Sequence, residues 1–255
     1  MDIDFSNRVA LVTGGGKGIG RAIALAFASH GAAVVVADID PQFGEETTAL
    51  ARECGARSIY VPTDVSDPVS CNKMVAAAVE TFDRLDIQIN NAGISQPSPS
   101  VDLTPELWHQ IIGINLSGVF FSCQAAGRQM LRQRSGNIIS IGSIAGALGF
   151  AGRAPYCAAK AGVTGLTQAL ACEWAEANIR VNAVAPGYVM TDLVAANIER
   201  GAVDAAAIAR RTPLGRIGQT QDVAHVVMLL ASDLTSYVTG ETWFVDGGWT
   251  AYGGW

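Results

Sequence analysis

The sequence predicts an α/β protein: a doubly wound parallel sheet with helices on both faces. Three features predict it. Apolar, β-branched runs alternate with Ala-rich helical stretches from one end to the other. The clearest of these runs, 33–38, is near-continuous valine, as suits a strand buried on both faces. The first run leads straight into a glycine-rich turn, Thr13-Gly14-Gly15-Gly16-Lys17-Gly18-Ile19-Gly20, that opens a helix.

In order, 8–12 reads as a strand and 18–30 as a helix. Residues 33–38 are the second strand, 42–54 a helix, 57–61 a strand and 68–82 a helix. The fourth strand is 86–89. Pro105 stands where a helix can begin, since its missing N–H costs nothing in a first turn, and a long helical region runs on to about 134. Residues 137–141 are the fifth strand, 155–177 a long helix and 179–184 the sixth strand. A helix at 221–231 and a short strand at 242–245 close the pattern. No linker rich in Pro, Gly or Ser divides the chain, and no internal repeat is visible, so 1–255 reads as a single domain. Residues 186–214 break the rhythm. They follow a strand's C-terminal end, where such sheets bind ligands, and 188–214 reads as a substrate-covering segment.

Composition narrows the class. The chain of 255 residues is 49% hydrophobic and 16% charged, which excludes disorder. Its net charge of -6 argues against nucleic acid as a partner. No apolar run approaches the ~20 residues of a membrane helix. The start, Met1-Asp2-Ile3-Asp4, is acidic, unlike a secretory signal. A soluble, cytoplasmic protein is expected. The five cysteines at 54, 71, 123, 157 and 172 are odd in number and form no CxxC pair, which suits reduced thiols. His30, His109 and His225 have no metal-ligand spacing, and no metal site is expected.

The glycine-rich turn suits a dinucleotide. Glycines let the backbone approach a pyrophosphate, and a helix N-terminus offers free N–H groups. Asp38 ends the second strand, where an acid accepts hydrogen bonds from ribose hydroxyls and repels a 2′-phosphate. Lys17 points the other way, toward a phosphate partner. Direct repulsion by Asp38 outweighs a lysine free to turn to solvent, so NAD is expected over NADP.

The chemical end carries neither a Ser-His-Asp arrangement nor a metal cluster. Tyr156-Cys157-Ala158-Ala159-Lys160 opens the long helix after the fifth strand, and residues four apart share a helical face. A lysine ammonium beside a phenol lowers the phenol pKa toward a range useful for acid/base work. Ser143 ends the fifth strand at the same sheet edge, as do Asn90-Asn91-Ala92-Gly93 after the fourth. Asn115 is a polar residue inside an apolar helix, readable as a kink or as a satisfied core amide.

Together these residues resemble the short-chain dehydrogenase/reductase family. The motifs TGGGKGIG, Asp64-Val65, NNAG, Asn115, Ser143, YxxxK and Pro186-Gly187 match in order and spacing, from Val9 to Gly248. The resemblance implies a Rossmann-type, seven-stranded parallel sheet. It implies Tyr156 as general acid/base, Ser143 as the group stabilising the reacting oxygen, and Lys160 as ribose ligand and depressor of the Tyr156 pKa. Asn115 would hold a water in a proton relay. The cofactor would lie along Gly14, Gly16, Lys17, Gly18, Ile19, Gly20, Asp38, Ile39, Asp64, Val65, Asn91, Ala92 and Gly93. Tyr156, Lys160, Pro186, Gly187, Val189 and Thr191 would complete its site.

The substrate is less legible. Ser95, Gln96, Ala145, Phe150 and Tyr188 join Ser143 and Tyr156 as candidate pocket residues. Their hydroxyls and amide suit a polyol, a sugar or a small hydroxy compound, oxidised at a secondary alcohol. One alternative is an NADPH-dependent 3-oxoacyl-carrier-protein reductase, docking its acidic carrier on Arg128, Arg132 and Arg134. Another is a non-catalytic NAD-binding scaffold or sensor. The aromatic, glycine-rich tail at 249–255 packs on its own subunit or reaches a neighbour, and a homotetramer is expected from the resemblance.

Overall fold

Strand β1 (Val9–Thr13) lies between β2 (Ala33–Asp38) and β4 (Ile87–Asn90), and both pairings are parallel. Outward from β2 comes β3 (Ser58–Pro62); outward from β4 come β5 (Gly136–Ile141) and β6 (Ile179–Pro186). A separate two-stranded pairing joins β7 (Val189–Met190) to β8 (Gly218–Gln219), and β9 (Thr242–Val245) closes the main sheet beside β6. The order β3-β2-β1-β4-β5-β6-β9 is the expected seven-stranded, doubly wound parallel sheet. The structure, a computed structural model, describes residues 3–201 and 203–253. The acidic start at Met1-Asp2, Ala202 in the 188–214 segment, and Gly254-Trp255 of the tail lie outside the described residues.

Alternate positions of each strand feed two cores. Val9, Leu11, Val35 and Ile138 face one side, against α3 (Pro68–Phe82), α5 (Gly118–Gln133) and α6 (Ala154–Trp174). Ala10, Val12, Val34, Val36 and Ile139 face the other, against α1 (Gly18–Ser29) and α9 (Thr220–Ala231). Helix α2 (Pro41–Glu53) starts at Asp40, whose carboxylate accepts from Gln42 N at 3.0 Å, with Pro41 in the first turn. Asp67-Pro68 repeats this device at α3, and Thr104-Pro105 at α4 (Pro105–Ile112). Each cap is worth about 1 kcal/mol.

Two regions depart from the expected elements. The long helix expected over 105–134 contains a π-helical turn, Gly113–Ser117, between α4 and α5. The 186–214 segment holds β7, α7 (Asp192–Glu199) and α8 (Ala205–Arg211). Sequence pattern missed these two helices because they lack an apolar face: α7 buries no residue and α8 buries Ile208. Several strand ends also differ from the expectation by a residue, as when β1 runs through Thr13.

Strand order reverses at β1, with β2 on one flank and β4 on the other. The crevice beyond the C-terminal ends of those strands is where open α/β sheets take ligands. The expected site residues stand along that edge.

Candidate active site

The turn after β1 is built around glycines that no other residue fits. Gly14 has φ +58, and a Cβ there would come 2.9 Å from Ala92 Cα. At Gly20 a Cβ would fall 2.1 Å from the Gly14 carbonyl oxygen. At Gly16 it would meet the Asp38 Oδ2 and the Phe43 Cβ, both at 2.8 Å. Lys17 is the N-cap of α1 and lends no side-chain cap, so the first-turn N–H groups of Gly18, Ile19 and Gly20 have no side-chain partner there. This bare helix start and stripped backbone fit a pyrophosphate.

Asp38 ends β2 and ties down both flanking turns. Its Oδ2 accepts from Gly16 N at 2.8 Å, and its Oδ1 accepts from Asp40 N at 3.0 Å. Ile39, next to it, is 71% exposed, an apolar surface suited to an adenine face. The Lys17 ammonium sits 4.6 Å from the Phe43 ring centroid, held by a cation–π contact. Asp64 folds back on its own loop, accepting from Ser66 N and Ser66 Oγ at 2.9 and 2.7 Å. Val65 is buried against Gly118. The donor set fits a dinucleotide.

Thr13 joins this loop to the fourth strand, an arrangement the sequence reading missed. Its hydroxyl accepts from Asn91 N and Ala92 N at 3.0 and 3.2 Å, and Asn91 Nδ2 donates to the Thr13 and Gly14 carbonyls. Below, Gln88 donates to Asn90 Oδ1 at 3.0 Å, and Asn90 donates to Cys123 Sγ and Ser140 Oγ. This buried polar thread gives Gln88, a polar residue inside β4, a partner.

At the far end, Pro186 ends β6 and Gly187 N donates to Val245 O at 3.0 Å. A Cβ at Gly187 would meet Asp246 Cα at 2.9 Å. Val189 lies in β7, and Thr191 caps α7. The Thr191 methyl would stand 3.5 Å from a Cβ built on Gly18, so the segment after β6 reaches the glycine-rich turn.

Tyr156 and Lys160 occupy the first turns of α6. The Lys160 ammonium is buried, donates to Ile141 O at 2.7 Å, and lies 5.6 Å from the Tyr156 ring centroid. Burial lowers its pKa to about 8. Ser143 follows β5, accepts from Ala145 N at 3.1 Å and lies close enough to the Tyr156 phenol to pull its pKa downward. The structure thus brings Ser143, Tyr156 and Lys160 together. Lys160 does not lower the Tyr156 pKa on balance, contrary to expectation. Burial raises the phenol above its ordinary value, and the Ser143 hydrogen bond and the nearby Arg153 charge offset that only in part. Lys160 is itself desolvated, and its ammonium is directed at a carbonyl.

Asn115 lies in the π turn, fully buried; such turns recur at functional sites. Its Nδ2 donates to Ile94 O and Ile111 O at 2.9 and 3.0 Å. Its Oδ1 has no donor among the described residues, and a Cβ on Gly93 would come 2.7 Å from it. Asn115 is thus a kink residue with one acceptor to spare.

The candidate pocket residues divide. Ala145 is buried and Phe150 half-buried, while Ser95 and Gln96 are exposed on the loop after β4. Tyr188 stacks on Trp249, with ring centroids 5.1 Å apart. Arg211 lies over the Trp249 ring at 4.8 Å and the Tyr252 ring at 5.3 Å and donates to Tyr252 O. The described part of the tail therefore packs on its own subunit. Arg153, also missed in the sequence, donates to Ser95 Oγ at 3.5 Å. It is the N-cap residue of α6, three positions before Tyr156.

A seven-stranded doubly wound sheet with a stripped glycine turn, an acid ending β2, and a Ser-Tyr-Lys cluster at its C-terminal edge defines a nicotinamide-dependent oxidoreductase acting on CH–OH groups. The comparisons agree. The family described as enoyl-(acyl carrier protein) reductase matches residues 14–250. The chain is 43% identical to cis-4-hydroxycyclohexanecarboxylate dehydrogenase of Sinomonas cyclohexanicum, over 97% of this chain and 98% of that protein. It is 38% identical to cyclohexanol dehydrogenase of Acinetobacter sp. (strain SE19), over 98% of each. It is 39% identical to the 3-oxoacyl-(acyl-carrier-protein) reductase of Escherichia coli (strain K12), over 96% and 98%. A short-chain type dehydrogenase/reductase from Mycobacterium marinum superposes with TM-score 0.93 at 34% identity, covering 98% of each chain. The chain belongs to the short-chain dehydrogenase/reductase family. Among its described residues, no helix is long and apolar enough to cross a membrane.

Proposed function

We propose that the protein is an NAD-dependent dehydrogenase of a small cyclic secondary alcohol. The observation that carries this is the Tyr156 side chain at the edge of the sheet, with Ser143 acting on its phenol and the Lys160 ammonium beside its ring. The cofactor, when bound, supplies the hydride acceptor or donor. Tyr156 removes the proton of the substrate hydroxyl, or returns it to a ketone oxygen. Ser143 donates to that oxygen as charge grows on it. Lys160 holds a ribose hydroxyl of the cofactor. Asn115, fixed in the π turn, offers its free Oδ1 to a relayed proton carrier.

The preference for NAD rests on Asp38. With one oxygen on Gly16 N and the other on Asp40 N, it stays at the ribose end as a fixed negative charge. A 2′-phosphate would meet like charge there. The cyclic alcohol rests on the two relatives named for alcohols of a six-membered ring. The residues 188–214 form the substrate cover of a single domain. Exposed Trp108, Phe120 and Leu131 on α4 and α5 suit contact between copies in a homotetramer, and a monomeric mass in light scattering would reject that.

The relative named as a carrier-protein reductase supports a second reading, NADPH-dependent reduction of a carrier-bound ketone. The basic cluster offers it little. Arg128 donates to Asn72, Arg132 to Gln129 and Arg134 to the Glu176 carbonyl. Initial rates with NAD+ and NADP+ on cyclohexanol and on polyols, set against NADPH-dependent reduction of an acetoacetyl thioester, separate the two. A scaffold or sensor would turn over none of them.

A further inference from the structure

The substrate mouth carries a cation that the proton chemistry does not require. Arg153 is the N-cap residue of α6, three positions before Tyr156, and its side chain lends no cap to that helix. The residue is half-buried, and at the surface its guanidinium reaches the Ser95 hydroxyl through Nη1 at 3.5 Å, a long and weak contact. The two loops that meet there are fixed to each other. Ser98 N donates to Gly152 O at 2.9 Å, Gly152 has φ +71, and Arg153 N donates to Phe150 O at 3.1 Å. Arg153 takes part in none of the ion pairs among the described residues, which are Arg8–Asp233, Arg21–Glu46, Arg84–Asp86 and Arg216–Asp222. A planar fork of N–H donors, with only a weak hydroxyl contact and no carboxylate partner among the described residues, stands at the start of the helix that carries Tyr156.

Resting on the oxidoreductase reading above, we propose that Arg153 recognises a carboxylate on the substrate, so that the preferred substrate is an alcohol bearing an acid group. Guanidinium matches carboxylate in a two-point, charge-assisted pair. Ser95, already on the guanidinium, offers the same anion a hydroxyl. The positive charge also acts on Tyr156, pulling its pKa downward against the larger effect of burial. A substrate carboxylate seated on Arg153 would fix the ring at one end while its hydroxyl faces Tyr156 and Ser143.

The test compares a hydroxycyclohexanecarboxylate with its uncharged carboxamide. The wild type should favour the acid in kcat/KM by roughly 10- to 100-fold, the range of one charged hydrogen-bonded pair. Arg153→Gln should bring that ratio near one, and Arg153→Lys should keep an intermediate value. Equal use of acid and amide by the wild type overturns the proposal. So does an equal fall on both substrates in R153Q, which would mean that Arg153 only braces the Ser95 loop or tunes Tyr156. Calorimetric binding of cyclohexanecarboxylate separates this from failure of the oxidoreductase reading. Binding lost in R153Q supports Arg153, and binding equal in both proteins overturns it. Absence of turnover on every alcohol counts against the oxidoreductase reading alone.

Discussion

Replacing Asp38 by Asn tests the origin of cofactor choice. The carboxylate accepts from Gly16 N at 2.8 Å and from Asp40 N at 3.0 Å. An amide oxygen can keep one of these bonds, so part of the turn geometry survives while the charge goes. A 2′-phosphate carries about -1.5 to -2 charges. At a separation of about 6 Å and an effective dielectric of about 40, between surface and bulk values, the repulsion relieved is about 2–3 kcal/mol. The ratio of kcat/KM for NADP+ to that for NAD+ should therefore rise roughly 30- to 100-fold. The rise should shrink as salt is added, because the site opens to solvent. Initial-rate kinetics with both cofactors at two ionic strengths read this out. An unchanged ratio, or an equal loss with both cofactors, would refute the electrostatic argument and leave Asp38 as a support for the glycine turn.

Two other predictions concern buried charge. Lys160→Met should abolish turnover yet leave the folded protein as stable or slightly more so. Burial lowers the lysine from 10.5 to about 8, roughly 3 kcal/mol against the charged form. Loss of its bond to Ile141 O costs back about 1.5–3 kcal/mol, so the net gain is on the order of 1 kcal/mol. The sign with pH is definite. Between about 8 and 10.5 the unfolded lysine holds more proton than the folded one, so this burial penalty fades as pH rises and the advantage of K160M should shrink. Urea unfolding of both proteins at pH 7 and 9.5 measures it. Burial also raises the Tyr156 phenol. Alcohol oxidation, which needs the phenolate, should climb into the alkaline range while ketone reduction falls there, and pH–rate profiles in both directions check this.

Much of the fold was legible because parallel strands buried on both faces are apolar at consecutive positions. Val34 to Val36 feed both cores, as do Val9 to Val12. Tyr156 and Lys160 were legible because a helix fixes spacing. Arg153 was not, since an arginine at a helix start reads as solvated until Ser95, 58 residues away, is brought to it. The π turn at Asn115 was hidden for a related reason. Its extra residue leaves the apolar pattern of the flanking helices intact, and the i to i+5 bond from Gly118 N to Gly113 O gives it away. The Tyr156 pKa was misjudged in sign because desolvation is a property of surroundings that sequence does not list. Helices α7 and α8 escaped because they bury almost nothing and so carry no apolar stripe.

The most direct measurement is NAD+ reduction with a cyclic secondary alcohol by the wild type and by Tyr156→Phe, with NADH binding followed by fluorescence. The expected result is turnover by the wild type, a loss of about 10²–10⁴-fold in the variant, and NADH affinity nearly the same in both. Turnover by the variant within a few-fold of the wild type would contradict the assignment of Tyr156 as acid/base.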